Sequence, residues 1–118
     1  MYVLRIKVKG LPKNTNQQNN NNWRAAYAEK KKWKERVIAH CLGLEPQQPL
    51  MQARVHCIRH SSRQGDFDGL VSSFKHCIDA LVLSGIIIDD KPSVIGVPTY
   101  EWKRAPQKQG YIELIVTE

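Results

Sequence analysis

Four aspartates flank one predicted helix in the middle of the chain, and they are the residues best suited to chemistry. Asp66 and Asp68 open the helix and Asp89 and Asp90 follow it. Two carboxylates spaced two residues apart can turn toward one hard cation, and such oxygen ligands suit Mg²⁺ or Mn²⁺. The alternative is structural, because aspartate caps helix N-termini and Asp-Asp-Lys-Pro is an ordinary turn composition.

The helix between these acids is predicted from about Phe67 to Leu83. Apolar residues recur at the helical spacing of one buried face, at Leu70, Val71, Phe74, Cys77, Ile78, Leu81 and Val82. The opposite face carries a polar stripe of Asp68, Ser72, Lys75 and Asp79. Because such a helix is ~25 Å long, the two acid pairs meet at one ion only if the chain folds back beyond Gly85. Its length also favours a structural role for Asp79 over a shared ion with the first pair.

The charge balance indicates a polyanionic partner. The 118 residues include 18 Lys and Arg against 11 Asp and Glu, a formal charge of +7, which favours nucleic acid over a small acidic metabolite and predicts no small-molecule cofactor. Yet four of the 11 acids lie at the two ends of this one segment. Carboxylates inside a basic protein are what a metal-dependent phosphodiesterase needs, because the acids hold the ion while lysines and arginines hold the DNA.

The three cysteines are odd in number, widely spaced and set in apolar patterns. We therefore expect reduced core thiols in a cytoplasmic protein. Zinc is the alternative, with Cys57 and His60 or His76 and Cys77 as ligands, although adjacent helical residues point about 100° apart. The sequence shows no hydrophobic signal region and no apolar run near ~20 residues. We therefore expect neither export nor membrane insertion.

The element order predicts an α+β fold in a single domain spanning 1–118. In chain order we expect a strand at 2–8, a mobile Asn-rich loop at 13–22, a helix at 23–42, a strand at 51–60, the helix at 67–83, an edge strand at 94–102 and a strand at 111–117. The last two strands are expected to form a hairpin. This β-α-β-α-β-β order predicts a mixed sheet with two helices packed on one face.

Basic residues on the first helix are candidates for contact with DNA. Lys30 and Lys34 fall near the centre of its predicted apolar face, which comprises Trp23, Ala26, Tyr27, Val37, Ile38, Cys41 and Leu42. The two amines either extend past the edge of the core to solvent or contact a nucleic-acid backbone together with Arg24, Trp23 and Trp33. Arg63 is a further candidate because it lies in the turn before Asp66. The loop at 13–22 is either a surface linker or a segment that orders on DNA.

Four stretches resemble, in their order and spacing, the RusA family of phage-encoded Holliday junction resolvases. They are DFDGL at 66–70, KHCIDAL at 75–81, SGIIIDD at 84–90 and GYIELIVTE at 110–118. The family pattern has an Asp-x-Asp-Asn-Leu motif, a lysine, Asp-Ala-Leu, a Gly-containing helix end, Asp-Asp and a closing strand. The similarity covers 51–118 well and the N-terminal part more weakly.

The resemblance implies a RusA-like fold, a homodimer and a magnesium site made of Asp66, Asp68 and Asp90. It also implies that Lys75 is the catalytic lysine near the scissile phosphate. Three departures from the family pattern are visible. Gly69 replaces the usual asparagine, the lysine follows the second acid by seven positions where four is expected, and the Asn-rich loop is longer. The shift of Lys75 moves its amine about one helical turn, ~4.5 Å.

Two functions follow as expectations. The first is a magnesium-dependent endodeoxyribonuclease, with Mn²⁺ as a possible substitute, that resolves four-way DNA junctions by paired symmetric nicks in recombination or repair of phage DNA. The second is a non-catalytic basic DNA-binding dimer in which the acids only cap the helix and close a turn. A nuclease for flaps or single-stranded loops is a third possibility. Cleavage of a junction in the presence of magnesium and in its absence separates them.

Overall fold

The computed structural model of the protein describes residues 1–13 and 23–118, so nearly all of the predicted loop at 13–22 lies outside the described residues. The elements are β1 (Val3–Lys9), α1 (Trp23–Cys41), β2 (Arg54–Ser61), α2 (Phe67–Ser73), α3 (Lys75–Leu83), α4 (Pro92–Ile95), β3 (Thr99–Arg104) and β4 (Tyr111–Thr117). They form an α+β fold with one four-stranded mixed sheet, as predicted. No helix in the described part of the chain is both long and apolar enough to cross a membrane.

The sheet order is β1-β4-β2-β3, which makes the predicted terminal hairpin wrong. Strand β4 lies between β1 and β2 and is antiparallel to both, while β3 is an edge strand parallel to β2. The reason is burial: Ile112, Leu114 and Val116 of β4 are fully buried, so this strand is covered best at the centre of the sheet. The predicted edge position of β3 is confirmed.

One face of the sheet carries the core. Its buried residues are Leu4, Ile6, Val8, Val55, Cys57, Ile112, Leu114 and Val116. The apolar residues that the helices bury belong to the same cluster, so the helices cover this face. The other face is basic along β1, where Arg5, Lys7 and Lys9 are exposed. There the buried Glu113 carboxylate meets Arg5 Nε at 3.3 Å and His60 Nε2 at 2.7 Å.

The buried face of α1 is narrower than the sequence pattern predicts. Trp33, Val37 and Cys41 are fully buried at successive i, i+4 positions. Trp33 Nε1 also donates a hydrogen bond of 3.0 Å to Glu29 Oε1. The alternative in which Trp33 contacts DNA is therefore wrong for this residue, because its ring belongs to the core. The predicted core positions that are mostly exposed instead are Trp23, Tyr27 and Leu42.

The predicted helix at 67–83 has the expected ends but is interrupted at Phe74, which separates α2 from α3. The Phe74 N–H donates to the Val71 carbonyl, three residues back, at 3.2 Å. Its side chain is fully buried. A tightened turn at this point lets α2 pack on β3 while α3 packs on α1. The polar stripe predicted along one continuous helix is thereby divided between two helices.

Beyond α3 the chain reverses. Gly85 adopts a φ of 78°, in the left-handed region that glycine tolerates best, and ends the helix. Ile86 and Ile87 then become fully buried. The Leu50 N–H donates to the Ile86 carbonyl at 2.9 Å and the Ile88 N–H donates to the Leu50 carbonyl at 3.0 Å. These bonds fix the returning segment and therefore the direction in which Asp89 and Asp90 leave it.

The strand predicted at 94–102 is correct only in its second half. Pro92 occupies the first turn of the short helix α4, where its missing N–H costs nothing, and Gly96 with a φ of 61° ends the helix. Strand β3 begins only at Thr99. The strand predicted at 51–60 is also shortened, since β2 begins at Arg54.

The cysteines are free and buried, as expected of core thiols. Burial raises the pKa of Cys41, and it raises the pKa of Cys57 and Cys77 much further. The structure disfavours zinc binding by Cys57 and His60 together, because strand alternation places Cys57 on the core face of the sheet and His60 on the other face.

Candidate functional site

The first acid pair lies at the start of α2. Asp66 is the N-cap residue, and its Oδ1 accepts a hydrogen bond of 2.9 Å from the Gly69 N–H. Asp68 lies in the first turn, and both aspartates are exposed. The capping role that the sequence suggested is therefore real for Asp66. A carboxylate accepts several hydrogen bonds or metal contacts, so the cap leaves the second oxygen of Asp66 available.

A cleft of about 590 Å³ opens beside this acid pair. We call it the α2 cleft and define it by its principal lining residues, Arg59, Arg63, Asp66, Phe67, Tyr100 and Trp102. Three aromatic residues, two arginines and two acidic residues, Asp66 and Glu101, thus line one concavity between α2 and the edge of the sheet. The cleft combines apolar surface with a few polar groups, which is typical of ligand sites.

Hydrogen bonds hold the walls of the α2 cleft in place. Trp102 Nε1 donates to Ser61 Oγ at 2.8 Å. Arg59 Nη1 donates to the Pro12 carbonyl at 2.7 Å. Burial lowers the pKa of Arg59 from its usual value, but a guanidinium stays charged in proteins. These two hydrogen bonds therefore fix the positions of Trp102 and Arg59 in the cleft wall.

The aromatic side of the cleft is a packed pair of rings. Phe67 meets Tyr100 edge to face, with ring centroids 6.2 Å apart and an angle of 88° between the planes. Phe74 contacts Tyr100 from the core side at 6.1 Å. Burial raises the pKa of Tyr100 to about 12, so its hydroxyl is neutral at physiological pH. Phe67 is 64% exposed and forms the outer rim.

The second acid pair lies in a different group of charges, which we call the α3 charge cluster. It comprises Lys30, Lys34, Lys75, His76, Asp79, Asp89 and Asp90. The chain reversal brings the Asp90 carboxyl within hydrogen-bonding reach of the Asp89 and Asp79 carboxyls. Partial burial raises the pKa of Asp90, and these two acidic neighbours raise it further.

The pKa of His76 depends on four charged members of this cluster. Burial is the largest cause of its lowered pKa. The Asp79 carboxylate opposes this shift, while the amines of Lys30, Lys34 and Lys75 add to it. Lysines from α1 and α3 and the carboxylate of Asp79 therefore act on one imidazole, and Lys75 stands one helical turn from Asp79.

The predicted metal ligands are placed in both regions. Asp66 lines the α2 cleft and Asp68 lies in the first turn of α2, whereas Asp90 lies with Asp79 and Asp89 in the α3 charge cluster. Among the residues that the structure describes, no three His, Cys, Asp or Glu side chains are arranged to hold a metal ion. The donor chemistry still fits magnesium, because all these groups are carboxylates and a cation would relieve the like-charge crowding at Asp90.

The predicted DNA-binding residues are also divided. Arg63 lines the α2 cleft, and Lys30 and Lys34 belong to the α3 charge cluster. Arg24 lies at the exposed start of α1, with its guanidinium 5.4 Å from the ring of Trp23. All four side chains reach surface regions, since three are exposed and Lys34 is half-buried.

Sequence reasoning missed Arg59, Tyr100 and Trp102 in the cleft and did not predict that Asp79 and Asp90 lie close together. The signal for Arg59 was available, because it continues the core-facing alternation of Val55 and Cys57 and is charged. The aromatic pair could not be found in this way. Tyr100 and Trp102 lie opposite Cys57 and Arg59 only because β3 pairs parallel to β2.

Comparison of the chain with models of known protein families gives no match, and a search of curated proteins gives none either.

Proposed function

We propose that the protein is a magnesium-dependent endonuclease that nicks four-way DNA junctions as a homodimer with a RusA-like fold. The observation that carries the proposal is the return of Asp90 into the α3 charge cluster. There the Asp90 carboxyl lies close to the carboxyls of Asp79 and Asp89, and Asp79 acts on His76 together with the amines of Lys30, Lys34 and Lys75. Acids beside amines are the combination that metal-assisted phosphodiester hydrolysis uses.

In this proposal Asp66 and Asp68 at the start of α2, together with Asp90 of the α3 charge cluster, would supply the oxygen ligands of the ion. Magnesium, when bound, lowers the pKa of a water molecule and stabilises charge at the phosphorus. Lys75 lies on α3 one helical turn from Asp79. In this proposal its amine offsets the negative charge of the phosphate. Asp79 and Asp89 keep the Asp90 carboxyl in a field of negative charge, which strengthens its attraction for a cation.

The basic residues hold the DNA backbone. Lys30 and Lys34 act on His76 in the α3 charge cluster, and Arg24 and Arg63 extend the positive surface to the start of α1 and to the α2 cleft. Such phosphate contacts position a duplex without reading its sequence and weaken steeply with salt. A dimer suits the substrate, because a four-way junction has two-fold symmetry and two related nicks need two sites.

The test is a nicking assay on a synthetic four-way junction and on a linear duplex, each with Mg²⁺ and with chelator. Wild-type protein should cut the junction only with Mg²⁺. Asp66→Asn and Asp90→Asn should each lower the rate at least about 100-fold, which corresponds to ~2.7 kcal/mol of transition-state stabilisation. Asp66→Asn is informative because asparagine preserves the helix cap.

The matched control is Glu45→Gln, which removes one negative charge from an exposed residue in the loop after α1. It should cut like the wild type. If both aspartate variants cleave at the wild-type rate, the ligand assignment is wrong. Junction binding without product under any divalent metal would instead support a non-catalytic DNA-binding dimer. Cleavage of flaps or loops in preference to the junction would change the substrate but keep the nuclease.

A further inference from the structure

We propose that the α2 cleft receives one unstacked nucleobase of the DNA strand, together with its phosphate, next to Asp66 and Asp68. The inference deepens the proposed function and rests on it, because it assumes that a DNA strand approaches this acid pair. The cleft itself is independent of that assumption. Its residues belong to β2, β3, the start of α2 and the loop between β2 and α2, and the resemblance assigned a role only to Asp66 among its principal lining residues.

The aromatic rings make the cleft suited to a planar, uncharged group. Tyr100 and Trp102 are half-buried, and Phe67 forms the exposed rim. Stacking of a base on such rings tolerates any sequence, because every nucleobase has a π face. The hydrogen bond from Trp102 to Ser61 and the contact of Phe67 with Tyr100 hold the rings before a ligand arrives. Less conformational entropy is then lost on binding.

The two arginines add selectivity for an anion beside the base. Arg59 uses Nη1 for the Pro12 carbonyl, and a guanidinium has further N–H donors. Arg63 is exposed at the mouth of the cleft. A phosphate that follows the base would meet these donors, whereas a plain apolar ligand would leave them unused. This combination favours a nucleotide unit over a lipid chain or an apolar peptide side chain.

The size of the cleft favours a single unit of a strand. Small-molecule sites span ~300–1,000 Å³, and the α2 cleft has about 590 Å³. An intact duplex arm cannot enter such a space. Removing a base from its stack costs a few kcal/mol in a duplex and least where pairing is already disturbed. A branch point is such a place, so the cleft would discriminate junctions from linear DNA.

The experiment is photocrosslinking of wild-type protein to a junction that carries 5-iodouracil at a branch-point position. Chelator is present throughout, so no cleavage occurs. The controls carry the label in the middle of an arm or in a linear duplex. Long-wavelength irradiation couples this base to a stacked aromatic ring. We expect several-fold more product for the branch-point label, on peptides containing Phe67, Tyr100 or Trp102. Equal yields at all positions, or coupling only elsewhere, would overturn the proposal.

A variant provides a second measurement. Phe67→Leu keeps an apolar rim and both aspartates but removes a π face. It should lower the preference for junction over duplex about tenfold, because one base–aromatic stacking contact is lost and such a contact changes affinity by about this factor. Leu83→Ala, which truncates another exposed apolar side chain, should leave the preference unchanged. An unchanged preference in Phe67→Leu would contradict a role for the rim.

The outcomes separate this inference from the proposed function. Cleft crosslinks without nicking under any metal would keep the base site and refute the nuclease. Nicking without cleft crosslinks would keep the nuclease and refute the base site. Free deoxymononucleotides are tested by competition at millimolar concentration. If they abolish the crosslink as well as an equal concentration of unlabelled junction does, the cleft is a site for free nucleotides and the proposal is wrong.

Discussion

The polar groups of the α2 cleft and of the α3 charge cluster differ in whether their neighbours stabilise them. In the cleft, polar groups have partners: Asp66 accepts from Gly69, Trp102 donates to Ser61 and Arg59 donates to Pro12. In the cluster, groups of like charge lie close together, and the pKa of Asp90 is raised while that of His76 is lowered. The cleft is organised before anything binds, whereas the cluster would gain from a ligand of opposite charge.

The difference implies opposite responses to mutation. Removing a polar group from the cleft should destabilise the fold, because its partner stays half-buried without a hydrogen bond. Removing a charge from the cluster should stabilise the fold, because repulsion falls. Sites that hold ions or phosphates often carry unfavourable electrostatics in the free protein, and strongly perturbed pKa values mark candidate functional groups for that reason.

The largest effect on stability is expected for Ser61→Ala. Ser61 Oγ accepts from Trp102 Nε1 and donates to the Arg63 carbonyl, each at 2.8 Å. Losing both bonds should lower the free energy of unfolding by about 1–2 kcal/mol in urea denaturation. The neighbouring Ser62→Ala should cost less than about 0.5 kcal/mol, as ordinary surface substitutions do. Equal losses in both variants would show that hydrogen bonds do not hold this wall.

An intermediate effect is expected at the helix cap. Asp66→Ala should lower the free energy of unfolding by about 1 kcal/mol, because the Gly69 N–H loses its acceptor. Asp66→Asn should stay within a few tenths of a kcal/mol of the wild type, since asparagine caps as well as aspartate. Thermal denaturation of the pair measures the difference. Two equally destabilised variants would mean that the charge of Asp66, and not its cap, stabilises α2.

The smallest effect, of opposite sign, is expected for Asp90→Asn. The folded protein raises the pKa of Asp90, so it binds this proton more tightly than the unfolded chain does. Stability therefore falls as pH rises from the unfolded pKa of about 3.9 through the folded pKa. At pH 7 without divalent metal the variant should be more stable than the wild type, by less than about 1 kcal/mol because Asp90 is exposed.

Denaturation of the Asp90→Asn variant and the wild type at pH 7 and at about pH 2.5, well below the unfolded pKa, checks this sign. The advantage of the variant should vanish at the lower pH, where the carboxyl is protonated in both folded and unfolded chains. A variant that is less stable at pH 7 would contradict the crowding. It would indicate that a cationic neighbour outweighs Asp79 and Asp89.

The elements with strong local patterns were predictable. Helix α1 was expected at 23–42 and spans Trp23–Cys41, and the closing strand has its predicted limits. The ends of the α2–α3 pair were also predicted, because Asp66 is a good cap and Gly85 ends a helix. The apolar periodicity of α1 did not predict correctly which of its side chains are buried. Trp33 was grouped with exposed neighbours, although only its ring completes the i, i+4 row with Val37 and Cys41.

Strand pairing was not predictable from the chain. The last two strands are separated by a short turn-like stretch, and local reasoning favours a hairpin. Strand β4 instead inserts between β1 and β2, which leaves β3 parallel to β2. The choice depends on which strand gains most from burial on both sides, and that comparison involves residues some 50 to 110 positions apart.

In the candidate site, too, the sequence determines the residue types and the tertiary structure determines their neighbours. The sequence alone determined which groups are available: five aspartates in one segment of a basic chain, a capping residue before α2 and a helix stop at Gly85. Their types and spacing are fixed covalently and can be read directly. Only the tertiary structure decided that Asp90 returns to Asp79 and that Tyr100 and Trp102 face Arg59 beside Asp66. Those neighbours depend on the chain reversal and on the parallel pairing of β3, which long-range burial of apolar surface determines.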